Sequence, residues 1–490
     1  MIPDFIALEL YAPYGPDVLR KLGKVEEYYK IYEDGARFET DNSGDYTPAE
    51  LRSHQIKQLI RREAQFMFGK TPTFRVGCPD EAKTDGKRPN ESAMQDYLDT
   101  VLKNNRMPDK LIKGERDCAI GGRVALKVNV SPKKCGITFV PADGFVYKTS
   151  IDDVDTLEQI TFFYTTKDDP DKARQEIWVQ KYWMDGEICK VSEYFTDGYG
   201  KKIEWQGSRK NENTGLNRIP AYVILNDGLS GDTDGESEVK ELMADDSWYG
   251  RLKSANIDSL RKGMNQIVWM YGASPESGQD FRYAPGALWD IKGDPAQAGP
   301  NSNAANVQVG TIENSFSYAG AYQNTLANIK QDMHDLLGVP DLNLESTRSL
   351  ITSGKGLKAL YWPLICRCEE KMNAWRPALE WLAELLIYAA EVFPDLRKTY
   401  GEFSPAPHNI TIESQYPLPE DEADEKELDL SEIGNHARSV RSYLMKWGGP
   451  DSKGLEVDEA DAELEQIAQE RRMLEDSYIS DELETSTEDE

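Results

Sequence analysis

The stretch from Tyr318 to Phe393 decides the fold, and its centre, residues 330–360, is KQDMHDLLGVPDLNLESTRSLITSGKGLKAL. Before Gly338, apolar residues recur at steps of three and four, which predicts one amphipathic helix. Gly338 can adopt the left-handed conformation that closes a helix, and Pro340 prevents its continuation. The predicted apolar stripe comprises Tyr318, Tyr322, Leu326, Ile329, Met333 and Leu336.

A second and much longer helix is predicted from Ser353-Gly354 to Phe393. At ~1.5 Å per residue, about forty residues would span roughly 60 Å. Pro363 and Pro377 each remove a backbone hydrogen bond, so we expect the helix to kink. Its predicted apolar stripe comprises Leu357, Leu360, Leu364, Cys368, Met372, Trp375, Leu379, Leu382 and Leu386.

The loop between these helices, Val339 to Ser353, is rich in small polar residues. Gly354 and Gly356 follow it and allow the chain to bend at its exit, so they are predicted hinges together with Gly338 and Pro363. A long kinked helix that is entered through a mobile loop is unusual in a small-molecule enzyme. The pattern favours a large assembly with a moving loop near an axis.

The chain has 490 residues, enough for two or three domains, and a formal net charge of −29. Such an acidic chain is not expected to bind phosphate backbones tightly. Its six cysteines are scattered, which indicates reduced thiols in a cytosolic setting. The first sixteen residues lack the basic start of a signal peptide, and no apolar run is long enough to predict a membrane span.

The N-terminal part predicts helices after Thr47, after Asn90 and from Asp109 to Ile120. The pattern then changes to alternation, which predicts an antiparallel meander closed by Ile219 to Ile224. Its strands are Val124–Val130, Ile137–Val140, Phe145–Lys148, Glu158–Thr165, Glu176–Trp183 and Val191–Phe195. Together with the helices, this meander predicts an α+β fold.

A helical pattern returns from Glu236 to Tyr271, and a Gly-, Pro- and Asn-rich insertion follows it, with strand-like pieces at Ala287–Ile291 and Val307–Val309. Beyond the long helix we expect an extended piece, Asn409–Tyr416, and two acidic helical regions. The tail after Tyr478 is acidic and is expected to be disordered.

Catalytic and cofactor motifs are missing from the sequence. Ser353-Gly354-Lys355-Gly356 lacks the upstream Gly and the following Ser or Thr of a P-loop, so it indicates a helix start. The four histidines show no metal-type spacing, and His334 is interpreted as a structural or interface residue and not as a base or ligand. Asp245 and Asp246 are interpreted as a solvated face. We therefore expect no cofactor, no metal and no catalytic residue.

Three stretches of the sequence resemble the portal proteins of tailed double-stranded-DNA bacteriophages with long non-contractile tails. The first is Asn217 to Asn226 with Ser237 to Leu242. The second is Pro340-Asp341-Leu342 followed by Ser353 to Leu360, where Gly356 replaces the Ala of a Ser-Gly-x-Ala-Leu-Lys pattern. The third comprises Pro417 to Glu422 and Ala462 to Glu470. The resemblance spans about Tyr28 to Leu474.

The resemblance implies a portal-type subunit with an α/β wing, a two-helix stem, a small clip, a long kinked helix and a helical crown. The implied boundaries are 1–235 for the wing, 236–272 for stem helix 1, 273–314 for the clip, 315–338 for stem helix 2, 339–354 for the tunnel loop, 355–393 for the long helix, 394–427 for a return to the wing, 428–477 for the crown and 478–490 for the tail.

The resemblance also implies a function and partners. Subunits would close into a ring, a dodecamer, at one capsid vertex of the virion after assembly in the host cytoplasm. Double-stranded DNA would pass through without sequence recognition during packaging and ejection. The implied partners are the terminase large subunit, a head–tail adaptor, and capsid and scaffolding proteins, with no membrane. Since the chain has no P-loop, the motor would be the separate terminase.

Two sets of site residues follow from the resemblance. The residues that would face DNA in and beside the tunnel loop are Asn343, Glu345, Ser346, Thr347, Arg348, Ser349, Lys355 and Lys358. The residues of the clip that would bind partners are Phe281, Tyr283, Leu288, Trp289 and Ile291. For Arg348 an ion pair with Glu345 or with an acid of a neighbouring subunit is an equal alternative to contact with DNA.

Two other functions remain open from the sequence. One is an acidic hydrolase that uses carboxylates, and the other is a structural scaffold without a role in nucleic-acid transport. A monomer would favour the hydrolase, and a ring without an axial hole would favour the scaffold.

Overall fold

The computed structural model describes residues 17–38, 47–81, 88–150, 152–153, 155–228, 234–264, 267–271, 308–312, 316–342, 354–418, 422–449, 454–455, 457, 459–470 and 472. The chain divides into two units. The first consists of Met1–Asp341 and Tyr361–Pro417, and the second of Leu342–Leu360 and Leu418–Glu490. Helices and antiparallel sheets together confirm the α+β class.

Ten described helices can be given with their bounds. In chain order they are α1 Asp17–Asp34, α2 Gln55–Phe68, α3 Pro89–Asn104, α4 Met107–Gly121, α5 Glu238–Met264, α6 Ala319–Leu336, α7 Gly354–Val392, α8 Pro394–Tyr400, α9 Glu422–Gly434 and α10 Val440–Trp447. Residues 459–470 are helical as well.

The two central helices form where the sequence predicts them. α7 is one helix that contains Pro363 and Pro377, and its predicted stripe is buried from Leu364 onward. In α6 the prediction is wrong at one end of the stripe. Leu336 is 44% exposed, whereas Leu337, just past the helix, is buried.

Thirteen described strands are present. They are β1 Thr73–Gly77, β2 Arg123–Ser131, β3 Lys134–Pro141, β4 Phe145–Thr149, β5 Leu157–Lys167, β6 Glu176–Asp185, β7 Ile188–Thr196, β8 Lys202–Ile203, β9 Arg209–Asn213, β10 Ala221–Leu225, β11 Ile267–Tyr271, β12 Gln308–Ile312 and β13 Asn409–Glu413.

The predicted meander is divided between two sheets. One has six strands, β4-β5-β6-β7-β8 with β9 beside β7, and the other has the order β10-β2-β3. The segment predicted to close the meander forms β10, which pairs antiparallel with β2, the first strand, but the single meander is wrong because its strands lie in two sheets. Apolar residues from both sheets, including Ala125, Ala221 and Phe145, share one buried cluster. Burial of these residues explains the pairing, since β10 covers the same core as β2.

The helix predicted to continue to Tyr271 ends earlier. α5 stops at Met264, and Ile267–Tyr271 forms β11, which pairs antiparallel with β12. The sequence of β11 is Ile-Val-Trp-Met-Tyr, and β-branched and aromatic residues favour a strand when a partner strand is available. The segment between β11 and β12, which holds most of the predicted clip, lies outside the described residues.

In the second unit, Asp429 of α9 organises the contacts with α10. Its carboxylate accepts a hydrogen bond from Trp447 Nε1 at 2.6 Å and pairs with Lys446 at 3.2 Å and with Arg438. These contacts hold the two helices of the predicted crown together. The predicted acidic tail, 478–490, lies outside the described residues.

Candidate functional site

The end of α6 is closed by a hydrogen-bonded left-handed turn at Gly338. The φ of Gly338 is +63°, its N–H donates to Asp335 O at 3.2 Å, and the N–H of Val339 donates to His334 O at 3.0 Å. This pair of bonds is the Schellman motif, and buried Val339 and Met333 supply its usual apolar contact partners. The prediction that Gly338 closes α6 in the left-handed conformation is confirmed, and its role as a hinge stays a prediction.

His334 completes this turn. It is buried, and its Nδ1 lies 2.8 Å from the carbonyl oxygen of Val339. Burial lowers the pKa of His334, although the bond to Val339 opposes this effect. The interpretation of His334 as a structural residue is confirmed.

The start of the predicted tunnel loop is fixed against α7. A Cβ built on Gly338 would lie 3.1 Å from the carbonyl carbon of Pro363 and 3.2 Å from the nitrogen of Leu364. Two residues after Val339, Asp341 pairs with Lys330 of α6. The turn that follows α6 is therefore closely packed against α7 at Pro363, the first proline of the long helix.

Just beyond this contact, five charged side chains form a buried cluster, which we call the ionic cluster: Glu63, Glu115, Glu238, Arg367 and Lys371. Glu63 comes from α2, Glu115 from α4 and Glu238 from the first residue of α5, and the two cations lie one turn apart on α7. The Arg367 guanidinium donates to Glu63 at 2.9 Å and to Glu238 at 3.0 Å. The Lys371 ammonium lies 2.9 Å from Glu63, 2.7 Å from Glu115 and 2.5 Å from Glu238.

The cluster has one carboxylate more than its cations can neutralise. Burial raises the pKa of Glu63, and the neighbouring Glu238 raises it further. Burial also acts to raise the pKa of Glu238, but Lys371 and Arg367 outweigh this effect and lower it. On Glu63, Glu115 and Glu238 alike, Oε2 is buried and has no hydrogen-bond partner among the described residues. A proton on Glu63 makes the cluster neutral and allows Glu63 to donate to Glu238.

The entry to α5 is tied to the end of α4 by backbone and side-chain bonds. Ser237 Oγ donates to Ile120 O at 2.5 Å, and Asn226 N donates to Gly122 O at 2.8 Å. A Cβ on Gly235, which has a φ of +64°, would lie 2.1 Å from Gly122 O. Only glycine fits at this position. The turn at Gly235 thus fixes the path of the chain three residues before Glu238, which joins the ionic cluster.

The structure describes only part of the predicted site. The six tunnel-loop residues at positions 343, 345, 346, 347, 348 and 349, and the five clip residues at 281, 283, 288, 289 and 291, lie outside the described residues. Lys355 lies in the first turn of α7, and Lys358 in the same helix is exposed. Gly354 and Gly356 both belong to α7, so their role as hinges stays a prediction, and Pro363 lies inside the helix next to Gly338.

Sequence reasoning missed the ionic cluster and one further buried acid. Asp246, interpreted as solvated, is buried and accepts a hydrogen bond from Ala36 N at 3.3 Å, so that interpretation is wrong. A signal for the cluster exists on α7: Arg367 and Lys371 interrupt the apolar stripe beside Cys368 and Met372. Two cations four residues apart on a buried face require buried acids opposite them.

No described group of three or more His, Cys, Asp or Glu could hold a metal ion. No helix in the described part of the chain has the length and apolarity that crossing a bilayer requires.

The long helix α7 thus packs against the glycine-closed end of α6, and its cations join the ionic cluster. The model of the family described as phage portal protein, SPP1 Gp6-like, matches residues 17–476. The chain belongs to this family, and it is a portal protein of the phage head. The family is one of structural proteins that form capsid-associated rings, so this chain is a structural component of a phage virion.

The other comparisons add less. A chain in the solved structure titled "Virion of native gene transfer agent (GTA) particle" is similar at 11% sequence identity. The match covers 82% of this chain and 95% of that chain, with a TM-score of 0.39. A search of curated proteins found no match.

Proposed function

We propose that twelve copies of this chain close into a ring at one capsid vertex and that double-stranded DNA passes through its axis. α5 and α6 would form the stem, residues 273–314 the clip and residues 339–354 the tunnel loop. α7 would be the long helix beside the loop, and 428–477 the crown. In this scheme the chain has no enzymatic activity, and a separate terminase drives DNA movement.

The single observation that carries the proposal is the family match over residues 17–476, and the surfaces of the stem helices support it. In α6 only Met333 and His334 are buried. On α5, Trp248 is 53% exposed and Leu260 is 44% exposed. A neighbouring subunit in a cyclic, heterologous contact would cover these apolar surfaces.

α5 and α6 are already joined within one subunit, as a stem requires. Tyr318, at the start of α6, donates from its hydroxyl to the Asn256 side chain of α5 at 3.2 Å. The segment before α2 also runs beside α5: Leu51 N donates to Ser254 Oγ at 2.8 Å and Ala49 N to Asp258 at 3.0 Å. These contacts support α5 as a rigid element from its anchored start to its centre.

Electron microscopy of the purified protein tests the ring directly. We expect rings with an axial hole wide enough for duplex DNA, and a monodisperse monomer at micromolar concentration would contradict the proposal. We expect the exposed rim of the clip to receive the terminase large subunit and later the head–tail adaptor. Capsid and scaffolding proteins would contact the ring elsewhere.

The tunnel loop is proposed to steady DNA and not to build the ring. Within Asn343–Ser349 the one acid and the one base, Glu345 and Arg348, leave each copy near neutral, so contact with phosphates should be weak and independent of sequence. Replacement of Asn343–Ser349 by a Gly-Ser linker should leave ring size and melting temperature unchanged, while DNA filling of capsids falls sharply. Capsids that fill normally with this variant would remove the loop from the mechanism.

A further inference from the structure

A basic cleft of about 710 Å³ lies in the first unit, away from the ionic cluster. It is lined by the turn between α3 and α4, the β2–β3 hairpin and strands of the six-stranded sheet. Its charged lining residues are Arg106, Lys110, Lys127, Lys134, Arg209 and Glu193. The chain has a net charge of −29, yet the lining of the cleft has five cations and one carboxylate. The cleft is therefore a positively charged site on an acidic protein.

Lys127 of β2 is the buried cation of this cleft. It is 5% exposed, and its Nζ lies 4.5 Å from the ring centroid of Phe162 and 4.9 Å from that of Trp178. Within the described residues its ammonium has no hydrogen bond and no ion pair. Burial lowers the pKa of Lys127 to about 8, although Glu193 opposes the shift. The aromatic faces compensate only part of the cost of burying a charge. An oxygen partner for the ammonium would therefore stabilise the charged form further.

The one carboxylate near Lys127 is engaged elsewhere. Glu193 accepts hydrogen bonds from Trp178 Nε1 at 3.0 Å and from Gln180 Nε2 at 3.2 Å, and it pairs with Arg209 at 3.7 Å. Gln180 is buried as well, and its Oε1 has no hydrogen-bond partner. Because Gln180 Oε1 is an acceptor, the unfilled donor at the floor of the cleft is the ammonium of Lys127.

The rim carries further cations on a rigid turn. Arg106 precedes α4 with a φ of +54°, and its neighbour Asn105 is hydrogen-bonded to β3. Asn105 accepts from Ile137 N at 2.9 Å and donates to Cys135 O at 3.1 Å. Arg106 and Lys134 are exposed, and neither forms an ion pair with a carboxylate of the described residues. They are available to a ligand at the mouth of the cleft.

We propose that this cleft binds a small polyanion of the class of inorganic or nucleoside polyphosphates. One phosphate would take the place of the missing oxygen partner at Lys127, and the rim cations would contact the remaining charge. Several cations on separate elements match a ligand with several negative charges better than a single carboxylate. The volume lies within the usual range of ligand sites, roughly 300–1,000 Å³.

The test uses the full-length protein, pyrophosphate and dATP as probes, and isothermal titration calorimetry at constant ionic strength. Lys127→Met removes the buried charge and keeps the apolar stem. The matched control is Lys133→Met, a neighbouring exposed lysine of the same hairpin that does not line the cleft. We expect saturable binding to the wild type and to Lys133→Met, and at least tenfold weaker binding to Lys127→Met. Tighter binding of dATP assigns the nucleoside class, and tighter binding of pyrophosphate assigns the inorganic class.

Thermal unfolding separates a binding role from a structural one. If Lys127 serves a ligand, Lys127→Met without ligand should melt at the same temperature as the wild type or higher, because a desolvated charge has been removed. A lower melting temperature together with unchanged pyrophosphate binding would overturn the proposal. If Lys127→Met does not fold, the double variant Arg106→Gln, Lys134→Gln tests the rim, where we expect a severalfold loss of affinity. Equal affinity in all variants, or tighter binding of a hexaglutamate peptide than of pyrophosphate, would also overturn it.

Discussion

Removal of Lys371 from the ionic cluster should be among the most destabilising single substitutions in the first unit. The Lys371→Met variant keeps the length of the side chain but leaves Glu115 and Glu238 without the ammonium that lies 2.7 and 2.5 Å from them. Both glutamates are buried. Breaking a buried ion pair at one partner costs ~3–5 kcal/mol, because the other charge remains without compensation.

Two control variants make this expectation specific. Lys398 pairs with Asp395 at 2.8 Å, but the two side chains are 66% and 50% exposed, so Lys398→Met should change the free energy of unfolding far less than Lys371→Met. Glu63→Gln should also be mild at neutral pH, because Glu63 already carries a proton there and Gln can donate to Glu238 in its place. The cluster thus predicts a large effect at Lys371 and a small one at Glu63.

Urea denaturation, followed by tryptophan fluorescence at matched protein concentration, measures the free energies of unfolding. Trp375 is buried one turn beyond Lys371 and provides a local probe. If Lys371→Met costs no more than Lys398→Met, the cluster does not stabilise the unit, and the reasoning is refuted. If Glu63→Gln costs as much as Lys371→Met, Glu63 is ionised and its assignment as the proton carrier is wrong.

Two further predictions concern pH and the turn at Gly338. Burial and Glu238 raise the pKa of Glu63 from 4.5 to about 8, so the folded chain holds a proton that the unfolded chain has released between these values. The stability contributed by this proton is complete below pH 4.5 and is lost as pH rises to about 8, with a slope of ~1.4 kcal/mol per pH unit. In urea titrations at pH 5 to 8 the difference between wild type and Glu63→Gln should follow this slope, and a constant difference would contradict it. Gly338→Ala should cost about 1–3 kcal/mol, because alanine disfavours a φ of +63° and its Cβ would press on Pro363. Gly320→Ala in the same helix, with no atom within 4 Å, should instead stabilise by about 0.5–1 kcal/mol, and equal effects at the two glycines would disprove the argument.

Local sequence signals predicted the helix–turn–helix centre well. The apolar period, Gly338 and Pro340 determine where α6 ends, and the same period places Leu364 to Leu386 on the buried face of α7. Such features depend on residues within one or two turns of each other. They are therefore visible in the sequence before any tertiary contact is known.

The errors occur where a distant partner decides the local structure. β11 was expected to continue a helix, and its pairing with β12 depends on a segment about forty residues later. β1 was missed because its only partner in the described residues is β13, more than three hundred residues away. Propensity alone cannot assign a short strand whose partner is not adjacent in sequence.

The candidate site depends even more on residues that are distant in sequence. The ionic cluster joins Glu63 to Arg367 across 304 positions and Glu115 to Lys371 across 256. Periodicity can show that two cations lie on the buried face of α7, but it cannot show which of 86 acidic residues face them. The basic cleft is equally hidden, since its cations come from α4, β2, β3 and β9.

The contacts that α7 makes with Gly338 and with α5 restrict its movement. At the start of the predicted tunnel loop, Asp341 pairs with Lys330 of α6. Beyond the loop, within α7, Pro363 packs closely against Gly338. One turn beyond Pro363, the ionic cluster joins α7 to the first residue of α5. A shift of α7 past α5 would break buried ion pairs, each of which costs several kcal/mol when one partner is lost. These ion pairs therefore oppose a shift of α7 past α5.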